Sequence, residues 1–164
     1  MINYNKKDNT YTLRTKQKLP ITLSKSWNFF SSPKNLSKIT PEHMNFNILT
    51  DFGKMYEGQI IKYRVSPFPF FRVGWTTKIT SVEKPFSFTD KQISGPFSLW
   101  EHEHIFEENS EGIYAHDIVK YKLPLGFLGR VFGGKLIIWQ LNKIFEFRKK
   151  MLNRINKKIN NELN

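Results

Sequence analysis

Apolar and polar residues change rhythm three times along the chain. "YTLRTKQKLP" (Tyr11 to Pro20) alternates and then stops at proline, which predicts an opening strand. The next segment, "TLSKSWNFFSSPKNLSKITP", has a helical pattern: Ser24 is placed to cap, Trp27 and Phe30 share a face, and Pro33 opens a second turn, so two short helices are expected. From Met44 to Tyr121 the period becomes two, interrupted at Gly53, Gly58, "SPFPF", "EKP", "SGP" and "NSEG". That pattern predicts a run of antiparallel strands. The last third is helical again, with Ile137, Leu141, Ile144, Phe145, Met151, Leu152 and Ile155 on one stripe and Lys143, Lys149, Lys150, Arg154 and Lys157 mostly off it. A long amphipathic helix is expected there. Gly133 and Gly134 should separate it from a short preceding turn, because paired glycines are poor helix interior.

This order predicts an α+β fold in which a curved antiparallel sheet grips a long C-terminal helix, with two short helices after the first strand. A helix must bury its apolar stripe, and the concave face of a curved sheet is where this one can do so. Such a grip leaves room for an internal pocket lined by the inward side chains of each strand. Residues 1–164 form one domain, since half of this length would not bury enough apolar surface to fold alone.

Composition narrows the class. A hydrophobic share of 39%, with fifteen phenylalanines and four tryptophans, excludes a disordered chain and favours a core or cavity lined by rings. No cysteine is present, which excludes disulfides, thiolate metal sites and a cysteine nucleophile. The first residues lack a secretory pattern and no apolar run is long enough to span a bilayer, so a cytoplasmic location is expected. The net charge of +12 accompanies abundant lysine, asparagine, isoleucine and phenylalanine, the drift of an A·T-rich coding sequence, and informs about solubility more than partner. A nucleic-acid partner is not expected, since the basic residues are not interleaved with an exposed aromatic platform.

The chemistry concentrates in "SGPFSLWEHEHIFEE" (Ser94 to Glu108). Alternation places Trp100, His102, His104 and Phe106 on one face of a strand, and Leu99, Glu101, Glu103 and Ile105 on the other. The glutamates mark the solvent side, so the histidines point inward. Phe88, Asp90 and Gln92 form the matching face of the preceding strand, with Asp90 near Trp100 or His102. Ile113, Ala115, Asp117, Val119 and Tyr121 form that of the following one, with Asp117 opposite His102 if the connecting loop runs from Glu107 to Gly112. Inward carboxylates favour the charged form of a histidine and fix its tautomer. Three uses of the cluster stand open: a self-satisfied polar ladder, groups that orient a ligand, or acid/base catalysis. The two histidines with a neighbouring aspartate could also form a facial metal set, but without a recognised third-ligand motif no metal is expected. No serine-nucleophile elbow, phosphate loop or dinucleotide fingerprint occurs, so no cofactor is expected.

The segments "FTDKQISGPFSLWEHEHIFEE", "DIVKYKLPLGFLG" and "IFEFRKKML" resemble the SRPBCC superfamily, the START-like helix-grip proteins, over Tyr11 to about Leu152. The spacing "GPF..W.H.H.F" is most similar to the bacterial ligand-binding branch labelled polyketide cyclase/dehydrase or cell-division-inhibitor-like. The resemblance implies a hydrophobic cavity between sheet and helix, and binding or carriage of a lipid, polyketide or other small hydrophobic molecule. Catalysis of the cyclase, dehydratase or hydrolase type is the alternative. It supplies no catalytic residue, so Asp90, Gln92, Trp100, His102, His104 and Asp117 carry over only as matching positions.

Further candidate pocket residues are Tyr63, Trp75, Thr77, Tyr121 and Trp139, with ordinary core packing as the competing reading. Arg148 lies near the helix stripe. Its stem is expected to run along the helix edge with the guanidinium in water, the alternative being an inward carboxylate. "SPFPFFRVG" (Ser66 to Gly74) is expected to form the lip of the cavity and to make transient contact with an anionic membrane surface through Phe68, Phe70 and Phe71, unless those rings close the pocket from inside.

Overall fold

The structure is a computed structural model that describes residues 2–50, 53–68, 71–124 and 126–161, without the side chains of 68, 71, 126–132 and 156–161. Eight strands, β1 (Ile2–Lys7), β2 (Thr10–Leu19), β3 (Asn47–Ile48), β4 (Ile60–Phe68), β5 (Phe71–Glu83), β6 (Ser87–Ser94), β7 (Leu99–Asn109) and β8 (Gly112–Lys122), make one antiparallel sheet. Its order is β1-β2-β8-β7-β6-β5-β4-β3. Helices α1 (Leu23–Phe30) and α2 (Pro33–Leu36) follow β2, two 3₁₀ turns at Ser37–Ile39 and Glu42–Met44 lead to β3, and α3 (Gly126–Asn161) ends the chain. The expected α+β helix-grip arrangement is what the chain adopts.

Four local features differ from the sequence reading. β1 is an additional edge strand, largely exposed, with only Ile2 and Tyr4 turned toward the core. It is set by Asp8 and Asn9, whose φ angles of 48° and 62° make the two-residue turn that suits a twisted hairpin. Helix α1 begins two residues earlier than expected: Thr22 rather than Ser24 caps it, accepting from the Lys25 N–H at 3.3 Å. Gly133 and Gly134 lie inside α3, not before it. A Cβ at Gly134 would stand 3.2 Å from the Tyr11 hydroxyl, so the missing side chain lets the helix approach β2 closely. The β7–β8 loop is shorter than expected, with Asn109 opposite Gly112, and this moves Asp117 opposite His104 while Val119 faces His102. The phenylalanine side chains expected at the hairpin lip lie outside the described residues.

Two irregularities in the β5–β6 pairing, at Thr76/Thr77 and Ile79/Ser81, bend the sheet in the way bulges do. The concave face receives α3 through Leu141, Phe145 and Leu152, all buried. The packing divides into two apolar clusters. One joins Leu19, Trp27, Phe88, Phe106, Ala115 and Leu152; the other joins Tyr11, Leu13, Val119, Tyr121, Leu141 and Phe145. Along each central element a polar residue separates them: Thr15 on β2, Asp117 on β8, His102 and His104 on β7, and Arg148 on α3. With Asp90 on β6 they form a polar band across the sheet.

Candidate functional site

The band is assembled by register. Thr15 pairs with Asp117 across β2 and β8, Asp117 with His104 across β8 and β7, and His102 with Asp90 across β7 and β6. All of these face the concave side because alternation puts each in phase with the core residues of its own strand. Arg148 reaches the same place from α3, three residues after Phe145 and four before Leu152, which keeps it on the buried stripe.

Asp117 is the hub. Its Oδ1 accepts from His102 Nε2 at 2.9 Å and from Arg148 at 3.1 Å, with His104 Nδ1 at 3.3 Å, while Oδ2 accepts from the Thr15 hydroxyl at 3.0 Å. Burial acts to raise its pKa, but the Arg148 charge and the two histidine bonds outweigh that and hold the carboxyl well below the usual range. The far nitrogens of both rings turn to Asp90, whose Oδ2 is 3.3 Å from His104 Nε2 and 3.9 Å from His102 Nδ1. The imidazoles lie against each other, with centroids 3.8 Å apart, and His104 stacks on Phe88.

The two histidines separate in protonation. Burial first, and the neighbouring His104 charge second, push His102 down to about 4, against the pull of both aspartates. Burial also acts to lower His104, but bonds to Asp117 and Asp90 outweigh it and raise its pKa. Of the two rings His104 is therefore the one favoured to hold a proton, with the Arg148 guanidinium beside Asp117 and two aspartates facing the histidines. Such a balance is what allows charges to be buried at all.

In front of the band lies a cavity of about 200 Å³ between the sheet, α3 and the α1–α2 segment. Tyr63, Trp75, Thr77, Asp90, Trp100, His102 and His104 line it, as does Arg148. Most of the remaining wall is apolar, from Phe29, Phe30, Ile39, Met44, Met55, Ile61, Val65 and Ile79 to Ile137, Leu141, Ile144 and Phe145. The Tyr63 hydroxyl lies 3.4 Å from Thr77 Oγ1, and burial raises its pKa far above normal. Asp117 does not reach this cavity. With Arg148 and Phe145 it borders a second depression, of about 340 Å³, on the β2 side, so Arg148 stands at the partition between the two.

Several expected pocket residues are elsewhere. Gln92 is spent on the β6–β7 connection, donating to the Phe97 carbonyl at 2.6 Å and accepting from its N–H at 3.3 Å. Tyr121 is fully buried behind the cavity, stacked on Tyr11 at 5.1 Å. Trp139 is 54% exposed on the outer face of α3, because Ile137, Gln140 and Leu141 take the inward phase of that turn. Arg148 is 8% exposed and paired, not extended into water as expected.

Sequence reasoning also passed over Thr15, which holds Asp117, and several residues of the cavity wall. Thr15 alternates inward with Leu13 and Tyr11, and Gln140 sits in phase with the helix stripe, so both carried a legible signal. The contributions of α1 and α2, such as Phe29 and Phe30, carried none, since where a short helix docks is a tertiary matter.

No family model and no curated protein matches the sequence. Solved structures do match in shape. TTHA0849 from Thermus thermophilus superposes with a TM-score of 0.68 at 15% identity, covering 90% of this chain and 98% of its own. Protein Ms6760 from Mycobacterium smegmatis gives 0.66 at 15% identity, covering 94% and 98%. Ginseng major latex-like protein 151 gives 0.62 at 13% identity, covering 86% and 96%. The chain has the helix-grip fold. That likeness is one of architecture, expected from the resemblance to the SRPBCC superfamily, and the chemistry must be argued from this chain's own residues. Among the described residues no helix is long and apolar enough to cross a membrane.

Proposed function

We propose that the chain binds a small apolar molecule bearing one polar end, held in the cavity between sheet and α3. The observation that carries this reading is the wall itself: apolar on nearly every side, with one polar face formed by Asp90, His102, His104 and Arg148. Apolar walls with a few convergent polar groups are the usual form of a small-molecule site. Two donors on that wall, Trp75 Nε1 and Arg148 Nε, are buried without a partner among the described residues. Buried donors call for an acceptor, and a carbonyl or hydroxyl oxygen on the ligand supplies one.

Size argues for a single ring system or a short chain. At about 200 Å³ the cavity is below the roughly 300–1,000 Å³ of sites for drug-sized molecules. A catalytic reading of the cyclase, dehydratase or hydrolase type is less well supported, because His102 and His104 both direct their ring nitrogens at carboxylates. The fold's likeness extends to bacterial and plant proteins alike, and the bacterial branch named by the "GPF..W.H.H.F" segment rests on that segment alone. A cytoplasmic carrier that meets membranes transiently fits the basic charge and the exposed Leu136 and Trp139 on α3.

Native mass spectrometry of the protein purified from its own cells tests the reading directly. A co-purifying small molecule is expected, and intrinsic fluorescence should change as it is removed, since Trp75 and Trp100 line the cavity. Val65→Phe, which fills the wall, should abolish binding of an apolar dye while far-UV circular dichroism is retained. Dye binding undiminished in that variant would place the apolar site elsewhere.

A further inference from the structure

The polar band holds one arrangement that ligand binding alone does not use. A single oxygen, Asp117 Oδ1, engages one nitrogen of each histidine, His102 Nε2 at 2.9 Å and His104 Nδ1 at 3.3 Å. The remaining nitrogens, His102 Nδ1 and His104 Nε2, both turn toward Asp90 Oδ2, at 3.9 and 3.3 Å. Donor atoms from Asp90, His102 and His104 lie within 4.8 Å of one another. These three residues line the cavity, whereas Asp117 stands behind them.

The geometry points to a binding site for a divalent transition-metal ion formed by Asp90, His102 and His104, open toward the cavity. Two imidazoles and one carboxylate suit zinc, iron(II) or cobalt(II), whereas magnesium and calcium prefer oxygen donors throughout. A metal-binding histidine normally donates its other N–H to a carboxylate, which fixes the tautomer and aims the lone pair. Here Asp117 does that for both rings at once. It is itself held by Arg148 at 3.1 Å and Thr15 at 3.0 Å, so the second layer is built before any ion arrives.

The separations suit such an ion. Bonds of about 2.0–2.1 Å place neighbouring donors of a tetrahedral site roughly 3.3–3.5 Å apart; the two separations to Asp90 are 3.3 and 3.9 Å and all three donors lie within 4.8 Å, so the site closes on an ion by side-chain adjustment alone. On binding, the ion takes the place of the direct contact between His104 Nε2 and Asp90 Oδ2. Three protein ligands leave one position free on the cavity side, as in sites that receive water or substrate rather than purely structural ones. The inference does not rest on the apolar-ligand reading, since the ion needs only the three side chains.

Full-length protein, treated with a chelator and dialysed, is titrated with cobalt(II) chloride under visible absorption and with zinc chloride in a calorimeter. One ion per chain and cobalt bands of a low-symmetry site are expected. Asp90→Asn and His104→Gln should weaken binding by about ten-fold or more, and Asp117→Asn, which touches no ion, by about 10- to 100-fold. His116→Gln should change nothing, because that ring pairs with Glu107 outside the site. Circular dichroism establishes that each variant folds, and Asp90→Asn carries the test if a histidine variant does not. Neither cobalt bands nor heat at millimolar metal would overturn the proposal. Bands that persist unweakened in Asp90→Asn would do so too, by placing the ion on other residues.

Discussion

Arg148 is the side chain whose removal should harm the fold most. Its guanidinium lies 3.1 Å from the buried Asp117 carboxylate, and removing one partner of a buried pair leaves an uncompensated charge. Arg148→Met is expected to cost about 3–5 kcal/mol in urea unfolding, with Arg148→Lys recovering only part, because an ammonium lacks the planar fork. A cost under about 1 kcal/mol, typical of exposed pairs, would mean the guanidinium is in water. The histidines make a separate prediction for metal-free protein. Folded His102 titrates at about 4, against a normal 6.5. Between those values the unfolded chain takes up a proton that the folded chain refuses, so stability falls as the pH drops from about 6.5 to about 4. Asp117, with its lowered pKa, extends the loss to more acid conditions. His104 acts with opposite sign: its pKa is raised, so its contribution is present at low pH and lost as the pH rises through the raised value. Urea midpoints across pH should therefore show an acid limb that His102→Gln flattens; an unaltered limb would assign the titration to another group.

At the scale of elements, α3 carries a pair of glycines of which only Gly134 meets β2. A Cβ at Gly133 would have nothing within 4 Å, whereas one at Gly134 would meet the Tyr11 hydroxyl at 3.2 Å. Both occupy helix interior, where alanine is favoured over glycine by about 1 kcal/mol. Gly133→Ala is expected to realise most of that gain in the unfolding midpoint. Gly134→Ala should gain less or lose, because Tyr11 is held by stacking on Tyr121 and cannot easily give way. Equal gains at both positions would show that the helix does not approach β2 so closely. The β6–β7 connection depends similarly on Gln92, whose two bonds to Phe97 place that ring against Trp75 and Trp100.

For the whole molecule, the same helix presents two unlike faces. Ile137, Gln140, Leu141 and Ile144 border the cavity, while Leu136 and Trp139 are about half exposed on the outside, with Lys143 6.0 Å above the Trp139 ring. A tryptophan flanked by lysines is suited to a membrane interface, and the net charge of +12 adds attraction to anionic lipid. Co-sedimentation with anionic vesicles is expected at low salt, weakened by added salt and reduced in Lys135→Glu combined with Trp139→Ser. Equal sedimentation with neutral vesicles would show that charge does not direct the contact.

The sequence by itself determined the order and type of the main elements from β2 onward, because alternation along β4 to β8 and the stripe on α3 are local periodicities that each segment carries alone. It also determined which face of β7 turns inward, since Glu101 and Glu103 alternate with His102 and His104. Only the tertiary structure decided what those histidines meet. A loop between β7 and β8 shorter by a few residues changed the partner of Asp117, as register depends on turn length and not on the strands alone. Helix phase, cumulative over many residues, sent Trp139 outward and Arg148 inward, and the latter became legible only when a buried carboxylate stood opposite. The edge strand β1 escaped notice because its apolar alternation is confined to Ile2 and Tyr4, too short a run to signal a strand. The cavity arose from the same cause as the polar band: α3, α1 and α2 pack on a sheet bent at β5, and the space they leave is a property of their joint placement, which no local pattern records.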